Sequence, residues 1–278
     1  MSGVRLNKTE FKMKKTTVCI LTFAIFCSIH AQTKMIISKV DGTRDTINLS
    51  DIRSISFKSD VPPPSTTDLV AYYPFEGNAA DSSGHGKTGI AYGTYSYVSG
   101  VHGQGIRLVG DNTGYHSTGG YVQIPQLDTT GLKELTVSVW IKEDYISPGD
   151  GYVFLSSDYE QGWCGIGHFQ TNYNFAVGAT KDILPVWFPF DSLTYEVWTL
   201  YTLAWSHDTI SAYVNGQLRG STWQKLQIYG GLATIGSHIW GGAYAGSSTH
   251  FTGDVDEVRI YRRALSSNEI LGLYLAGI

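Results

Sequence analysis

Phe251-Thr-Gly-Asp-Val-Asp-Glu-Val-Arg-Ile-Tyr261, followed by Arg-Arg-Ala-Leu-Ser-Ser-Asn-Glu-Ile270, decides the reading of this chain. Val255, Glu257, Arg259 and Tyr261 alternate with Asp254, Asp256, Val258 and Ile260, and a period of two predicts a β-strand. Ser266 with Glu269 three residues on forms a capping box. Leu265 and Ile270 stand where a hydrophobic staple needs them, so a short helix is expected to start there. Asp254 and Asp256 are expected on one face of the strand, as metal ligands, a catalytic pair or a solvated edge.

Working outward, the same β character recurs upstream. Leu69-Val-Ala-Tyr-Tyr-Pro-Phe-Glu-Gly-Asn78 is followed by Asp81-Ser-Ser-Gly84, then by Gly120-Tyr-Val-Gln-Ile124 and Leu135-Thr-Val-Ser-Val-Trp-Ile141. Trp198-Thr-Leu-Tyr-Thr-Leu203 and Tyr213-Val-Asn-Gly-Gln217 complete the series. In order and spacing these motifs, with the closing segment, resemble the laminin-G-like (concanavalin A-like) jelly-roll domains of secreted bacterial proteins. The resemblance covers residues 68–276. It implies an all-β fold, a two-sheet antiparallel β-sandwich of jelly-roll type with a short C-terminal helix. It says little about function, since such scaffolds host lectins, adhesive modules and enzymes alike.

Composition agrees with that fold. Gly 32 and Tyr 18 are high and charged residues reach only 16%, which suits a sandwich with many turns. A formal charge of −4 without a basic cluster argues against nucleic acid as a partner. Met13-Lys-Lys15 and the apolar run Val18 to Ile29 read as a secretory signal, too short to span a bilayer, with cleavage after Ala31 and translation starting at Met13. Residues 1–31 are therefore expected to be removed and the protein to be secreted or held at the cell envelope. Lipidation at Cys27 is disfavoured because Phe26 before it is not small. Cleavage leaves Cys164 alone, so no internal disulfide is expected. Cys164 reads as a small buried residue in a strand around Gly162 to His168.

Residues 32–60 read as a small β leader, with a hairpin turn at Asp41-Gly42. They resemble a short leader segment seen ahead of modules in secreted bacterial proteins. Val61-Pro-Pro-Pro-Ser-Thr-Thr67 reads as a stiff linker, and residues 68–278 as the main domain. Asn215-Gly216 is a hairpin turn. Trp198 and Trp205 are assigned to the core. Trp140 is ambiguous, sharing a strand face with Thr136 and Ser138.

Asp81 and Asp256 are the leading metal candidates, with Glu76, Asn78 and Asp254 behind them. Calcium takes six to eight oxygens, and a loop shaped by Gly77, Gly84 and Gly86 can turn carbonyls inward. First and last strands commonly pair in a sandwich, which would bring the opening loop close to Asp256. In similar jelly-roll domains a structural Ca²⁺ joins these two elements, and Asp81 and Asp256 stand at the matching positions. The competing reading is an Asx-turn at Asp81 and a hydrogen-bonded edge carboxylate at Asp256.

Similar sandwich glycosidases carry two acids on one strand, as nucleophile and acid/base about 5 Å apart for retention. Here Val258 and Arg259 stand where the second acid is needed, and Glu257 is expected to point away. A glycoside hydrolase therefore ranks third among the functional readings, and the chain is expected not to be an enzyme. The preferred reading is a non-catalytic carbohydrate-binding module. Its aromatics lie in long loops: Trp163, Tyr173, Trp187, Trp240 and Tyr244, with His250. Trp187-Phe188, between Pro185 and Pro189, reads as a rigid projection. The alternative is a structural or adhesive module that contacts protein. For each aromatic taken singly, packing over the end of the sandwich competes with ligand binding.

Overall fold

The computed structural model describes residues 34–38, 43–48, 61–110, 119–125, 127, 132–144, 151–158, 162–168, 174–180, 186–189, 196–223, 232–239 and 248–277. The chain divides into two units, residues 1–60 and 61–278. In the first, β1 (Lys34–Ser38) pairs antiparallel with β2 (Arg44–Asn48), Lys34 opposite Asn48 and Ser38 opposite Arg44. The turn residues Asp41 and Gly42 and the signal-type segment lie outside the described residues.

The second unit opens with β3 (Leu69–Tyr73), β4 (Ile90–Tyr92), β5 (Tyr95–Ser99), β6 (Gln104–Leu108), β7 (Tyr121–Ile124) and β8 (Glu134–Glu143). Then come β9 (Gly151–Asp158), β10 (Gly162–His168), β11 (Asn174–Thr180), β12 (Val186–Pro189), β13 (Thr199–Ser206) and β14 (Thr209–Val214). It closes with β15 (Gln217–Trp223), β16 (Leu232–Ile235), β17 (Ser237–Ile239), β18 (Ser248–His250), β19 (Gly253–Tyr261) and α1 (Ser267–Ala276). An eight-stranded antiparallel sheet runs β15-β14-β13-β8-β19-β6-β5, with β3 also paired to β19. A seven-stranded sheet runs β12-β11-β10-β9-β16-β7-β4, and β17 and β18 form a small ribbon. This is the two-sheet sandwich with one C-terminal helix that the sequence predicts. The first strand of the domain does pair with the last, and Cys164 lies in a strand of the predicted extent.

Alternation decides which face of each strand is buried. Leu135, Val137, Val139 and Ile141 of β8 join Leu203, Trp205, Ile210, Val122, Ile124, Ala233 and Ile235 in the core between the sheets. Each such aliphatic side chain contributes roughly 1.5–3 kcal/mol on full burial. The other face of β8 is buried too. Trp140, Leu200, Ala204, Tyr213 and Tyr261 form a second core with Leu69, Leu265, Ile270 and Leu273. Trp140 stacks on Tyr274 of α1, ring centroids 5.7 Å apart, so the tryptophan is structural. Trp205 is buried in the main core. Trp198 packs partly against the second core, with Lys142 Nζ 5.9 Å from its ring.

Helix α1 begins as its sequence predicts. Ser266 Oγ accepts from the Glu269 N–H, and Glu269 Oε2 accepts from the Ser266 N–H at 2.9 Å. Asn215 and Gly216 turn the β14–β15 hairpin with φ of 51° and 75°, a pairing of two positive φ values that favours this dipeptide. The proline-rich stretch is not free of the domain, however. Pro64 is buried, and Gly272 of α1 abuts the Pro62 carbonyl.

The last strand departs from simple alternation. Its pairing with β8 shifts register between Asp256 and Arg259, and Glu257 sits at φ 54°. One residue is therefore inserted as a bulge. Val255, Val258 and Ile260 all face the main core despite their mixed parity. Asp256 lies opposite Trp140, Arg259 opposite Ser138 and Tyr261 opposite Thr136, so the outer face carries all three. The expectation that Glu257 faces away from the aspartates is thereby corrected: its side chain meets Tyr72 and Arg259, and Arg259 stands on the same face as Asp256.

Candidate functional site

The described residues offer two settings for function: the acid-bearing face of β19 and an aromatic cluster at the β4–β7 end of the seven-stranded sheet. The acids come first, because the sequence puts most weight on them.

Asp256 is fully buried. Its Oδ2 accepts from the N–H groups of Val101 at 2.8 Å and His102 at 3.2 Å, and its Oδ1 accepts from the Glu257 N–H at 2.7 Å. Burial pushes its carboxyl up to about 7. The His102 N–H opposes this, the charge of Glu257 adds to it, and the Val101 and Glu257 N–H groups oppose it further. Glu76 Oε2 accepts from the Gln104 N–H at 3.1 Å. Between them, Asp256 and Glu76 hold the turn joining β5 to β6.

Asp81 performs the same task in the opening loop. Its Oδ1 accepts from the N–H of Tyr72 at 3.0 Å and of Ser83 at 2.8 Å. Its Oδ2 accepts from the Lys87 N–H and the Ser83 hydroxyl, both at 2.9 Å. Burial raises this carboxyl, but the hydrogen bonds from Ser83, Tyr72 and Lys87 outweigh it and hold the group below the usual carboxylate range. Asn78 bonds the Glu76 carbonyl and the Ala80 N–H, an Asx-type turn.

Asp254 is 2% exposed and pairs with Arg107 at 2.8 Å and Lys142 at 3.2 Å. Glu257, also 2% exposed, accepts from the Tyr72 hydroxyl at 2.7 Å and pairs with Arg259, whose guanidinium lies 4.3 Å from the Tyr72 ring centroid. Burial, opposed by Arg259 and aided by Glu257, raises the Tyr72 phenol well above its ordinary value.

This geometry bears on the metal expectation. The oxygens of Asp81, Asp256, Glu76 and Asp254 face N–H, hydroxyl or cationic donors, whereas a calcium ion needs converging oxygens. Among the described residues no three His, Cys, Asp or Glu side chains are placed to hold a metal ion. The donor set as arranged does not fit Ca²⁺. Nor do the three acids of β19 form an open pair around which a sugar could sit, since each is under 3% exposed.

The second setting is partly open to solvent: Tyr92 is exposed, Tyr121 half-buried and His250 buried. Tyr92 of β4 lies opposite Tyr121 of β7, and their rings stack at 5.2 Å. Tyr92 is 41% exposed and Ile90 beside it is also exposed. The ring of His250 lies 6.0 Å from that of Tyr121. Gln123, two residues on from Tyr121, shares its face and is half-buried. Burial, then the neighbouring Tyr92, raises the Tyr121 phenol. Ser237, opposite His250 in the β17–β18 ribbon, is buried and its hydroxyl has no hydrogen-bond partner.

Glycines make this cluster possible. Gly110 and Gly119 form an isolated antiparallel bridge beneath His250. A Cβ on Gly119 would stand 2.8 Å from the Gly110 Cα and 2.9 Å from His250 Cβ and Cγ. A Cβ on Gly120 would strike the Thr94 carbonyl. A side chain at Gly119 would therefore press on His250, and one at Gly120 on the backbone of Thr94.

Of the predicted ligand residues, His250 thus joins an aromatic group. Trp163 lies on β10 and Trp187 on β12, so both stand on strands rather than loops, and the projection expected at Trp187-Phe188 is the edge strand of the seven-stranded sheet. Tyr173, Trp240 and Tyr244 lie outside the described residues. Sequence reading missed Tyr92 and Tyr121. Their signal is a tyrosine beside glycine, in Tyr92-Gly93 and Gly120-Tyr121, with polar Gln123 on the same parity.

Two packed antiparallel sheets closed by a C-terminal helix, with a solvent-facing aromatic cluster, define a lectin-like β-sandwich. Residues 116–271 match the concanavalin A-like lectin/glucanases superfamily (Laminin_G_3), more than half of the chain, and the chain belongs to that family. Among solved structures it is similar to domain 4 of AbnA, an extracellular arabinanase of family GH43 from Geobacillus stearothermophilus, in complex with arabinotriose. That match has a TM-score of 0.60 at 19% identity and covers 74% of this chain and 98% of that one. It is also similar to the binding domain of botulinum neurotoxin DC in complex with rat synaptotagmin II, with a TM-score of 0.60 at 16% identity. There the cover is 77% of this chain but 52% of the other, so the chain spans about half the length of that domain. The binding domain of Paraclostridial Mosquitocidal Protein 1 matches at a TM-score of 0.55 and 16% identity, covering 75% of this chain and 52% of that one. At these identities the likeness concerns the fold. Among curated proteins none matches the chain. Among the described residues no helix is long and apolar enough to cross a membrane.

Proposed function

We propose that residues 61–278 form a non-catalytic binding module that acts outside the cell or at its envelope and takes a glycan. One observation carries the reading: exposed Tyr92 stacked on half-buried Tyr121, with the buried ring of His250 beside it. Sugar rings present C–H faces that pack on aromatic rings, while their hydroxyls need planar polar partners. Tyr92 and Tyr121 supply the rings and phenols, and Gln123 supplies an amide. The similar arabinanase domain is in complex with arabinotriose and a similar neurotoxin binding domain with SialylT, which supports the class without fixing the sugar. The acids of β19 are buried and partnered, which favours binding over hydrolysis.

A protein ligand is the competing reading, favoured by exposed Ile90 beside Tyr92. A glycan array probed with the intact protein and with Tyr121→Ala separates the two. Glycan binding that the substitution weakens about tenfold supports the proposal, an effect of the size expected for losing one aromatic contact. No glycan bound by the intact protein, with a protein ligand captured through the same tyrosines, would sink it.

A further inference from the structure

Trp223 is the most exposed large apolar side chain among the described residues, at 67%. It ends β15, at one edge of the eight-stranded sheet. Its face follows from the register. Thr209 lies opposite Trp223, and Ile210, next to Thr209, belongs to the main core. Thr209 and Trp223 therefore point away from the core.

The row continues across the sheet. Ser206 lies opposite Thr209 and Glu134 opposite Ser206. Trp223, Thr209 and Ser206 are exposed and Glu134 is half-buried, so the second core and α1 leave this row uncovered. Ser206 Oγ donates to Glu134 Oε1 at 3.5 Å, and His207 Nδ1 lies 3.6 Å from the same oxygen. In the adjoining row Ser211 and Ser221 share a hydrogen bond of 2.7 Å on the same face. Four strands at about 4.8 Å spacing make the row roughly 14 Å long.

We infer that this row is a second glycan-binding site, for a short neutral oligosaccharide lying across strands β15, β14, β13 and β8. The inference rests on the reading of the module as a glycan binder, but it uses a different sheet and different residues. The indole offers a flat face for a sugar ring at one end. Thr209 and Ser206 offer hydroxyls along the path, and Glu134 accepts from sugar hydroxyls at the other end. The carboxylate of Glu134 in the row disfavours an anionic sugar, so the ligand it fits is a neutral one. A patch meant for protein would carry several large apolar groups. Here one indole stands among hydroxyls.

The test follows the Trp223 indole N–H by nuclear magnetic resonance, its signal identified by its loss in Trp223→Phe. Arabinotriose, xylotriose, cellotriose and mannotriose are titrated in turn. At least one is expected to shift that signal in the intact protein and equally in Tyr121→Ala. The same sugar should bind about tenfold more weakly to Trp223→Ala, and several-fold more weakly to Thr209→Val, which keeps the indole and tests the hydroxyl. If the Trp223 signal stays unmoved by all four while the rings of Tyr92 and Tyr121 respond, this second site is wrong and the first stands. If the Trp223 signal shifts but Tyr121→Ala costs nothing on the array, the second site stands alone. If neither set responds to any of the four, the second site is overturned, and the glycan array alone decides the reading of the first.

Discussion

Asp256 and Tyr121 both stand on strands that carry family motifs, yet one is sealed and the other is half-buried beside an exposed partner. Asp256 keeps no contact with solvent and accepts three backbone N–H groups. Tyr121 stacks on Tyr92, which leaves much of its own surface in water. A buried charge has to be compensated, and that compensation ties it to the frame. An exposed aromatic pair has no such tie, and the fold gains less by keeping it. The contrast gives the closing strand a structural role and leaves the tyrosines as the surface on which the proposed recognition rests.

The largest expected effect breaks the closed side. Asp256→Ala leaves the N–H groups of Val101, His102 and Glu257 without an acceptor, and should lower stability by about 3 kcal/mol or more. A chemical denaturation curve measures it, and an unchanged midpoint would refute the structural role. The aspartate also has a pH signature. Its folded-state carboxyl is pushed up to about 7 by burial, against about 3.9 in an unfolded chain. Between those values the folded state keeps the proton and the unfolded state does not. The aspartate's contribution to stability should therefore decline as pH rises from about 4 to 7. Asp256→Asn should flatten that part of the curve. Asp81 acts with opposite sign: its folded carboxyl is lowered, so its contribution is full above the ordinary aspartate range and fades as pH falls below it.

The next effect breaks the support of the open side. Gly119→Ala puts a methyl group 2.8 Å from the Gly110 Cα and 2.9 Å from His250. Overpacking of this kind costs roughly 1–3 kcal/mol. It should cost glycan binding as well, since the methyl group presses directly on His250, whose ring lies beside Tyr121. Tyr92→Ala sharpens the contrast: about tenfold weaker binding on the array with a nearly unchanged melting temperature, because the ring is half in water. Equal losses of binding and stability would make the tyrosines part of the core instead.

How much of this was legible in the sequence depends on the range of the forces involved. The capping box, the Asn215-Gly216 turn and the alternation of β8 are local, and each could be read from neighbouring residues. The bulge at Asp256-Glu257 could not. It arises where β19 must serve β6, β8 and β3 together, and it turns Arg259 to the face that strict alternation had already given to Asp256. Asp81 reads first as a calcium ligand, with an Asx-turn as the competing reading, and the identity of its hydrogen-bond partners depends on the closure of the whole opening loop. Tyr92 and Tyr121 are 29 positions apart in the sequence and meet only because β4 and β7 pair at a sheet edge. Trp223 carried no signal of its own in the sequence, and only the register places it on the outer face.

The smallest expected effect concerns the helix that divides covered from uncovered sheet. Ser266→Ala removes the hydroxyl that accepts the Glu269 N–H, a loss of about 1 kcal/mol for an N-cap. The loss is limited because Glu269 stays anchored to Arg263 and because Leu265 and Ile270 remain packed in the second core. Helix α1 covers Trp140 through Tyr274, so loosening it should appear as a lower melting temperature and a change in tryptophan emission. Tyr92 and Tyr121 are not part of the second core, so affinity there should stay the same, whereas Glu134 of the Trp223 row accepts from the Ala264 N–H just ahead of the cap at 3.4 Å and can feel a small change. A Ser266→Ala protein that melts earlier and also binds glycan less well would show that the covered and uncovered parts of the eight-stranded sheet act as one, and would undo the division between frame and recognition surface drawn from Asp256 and Tyr121.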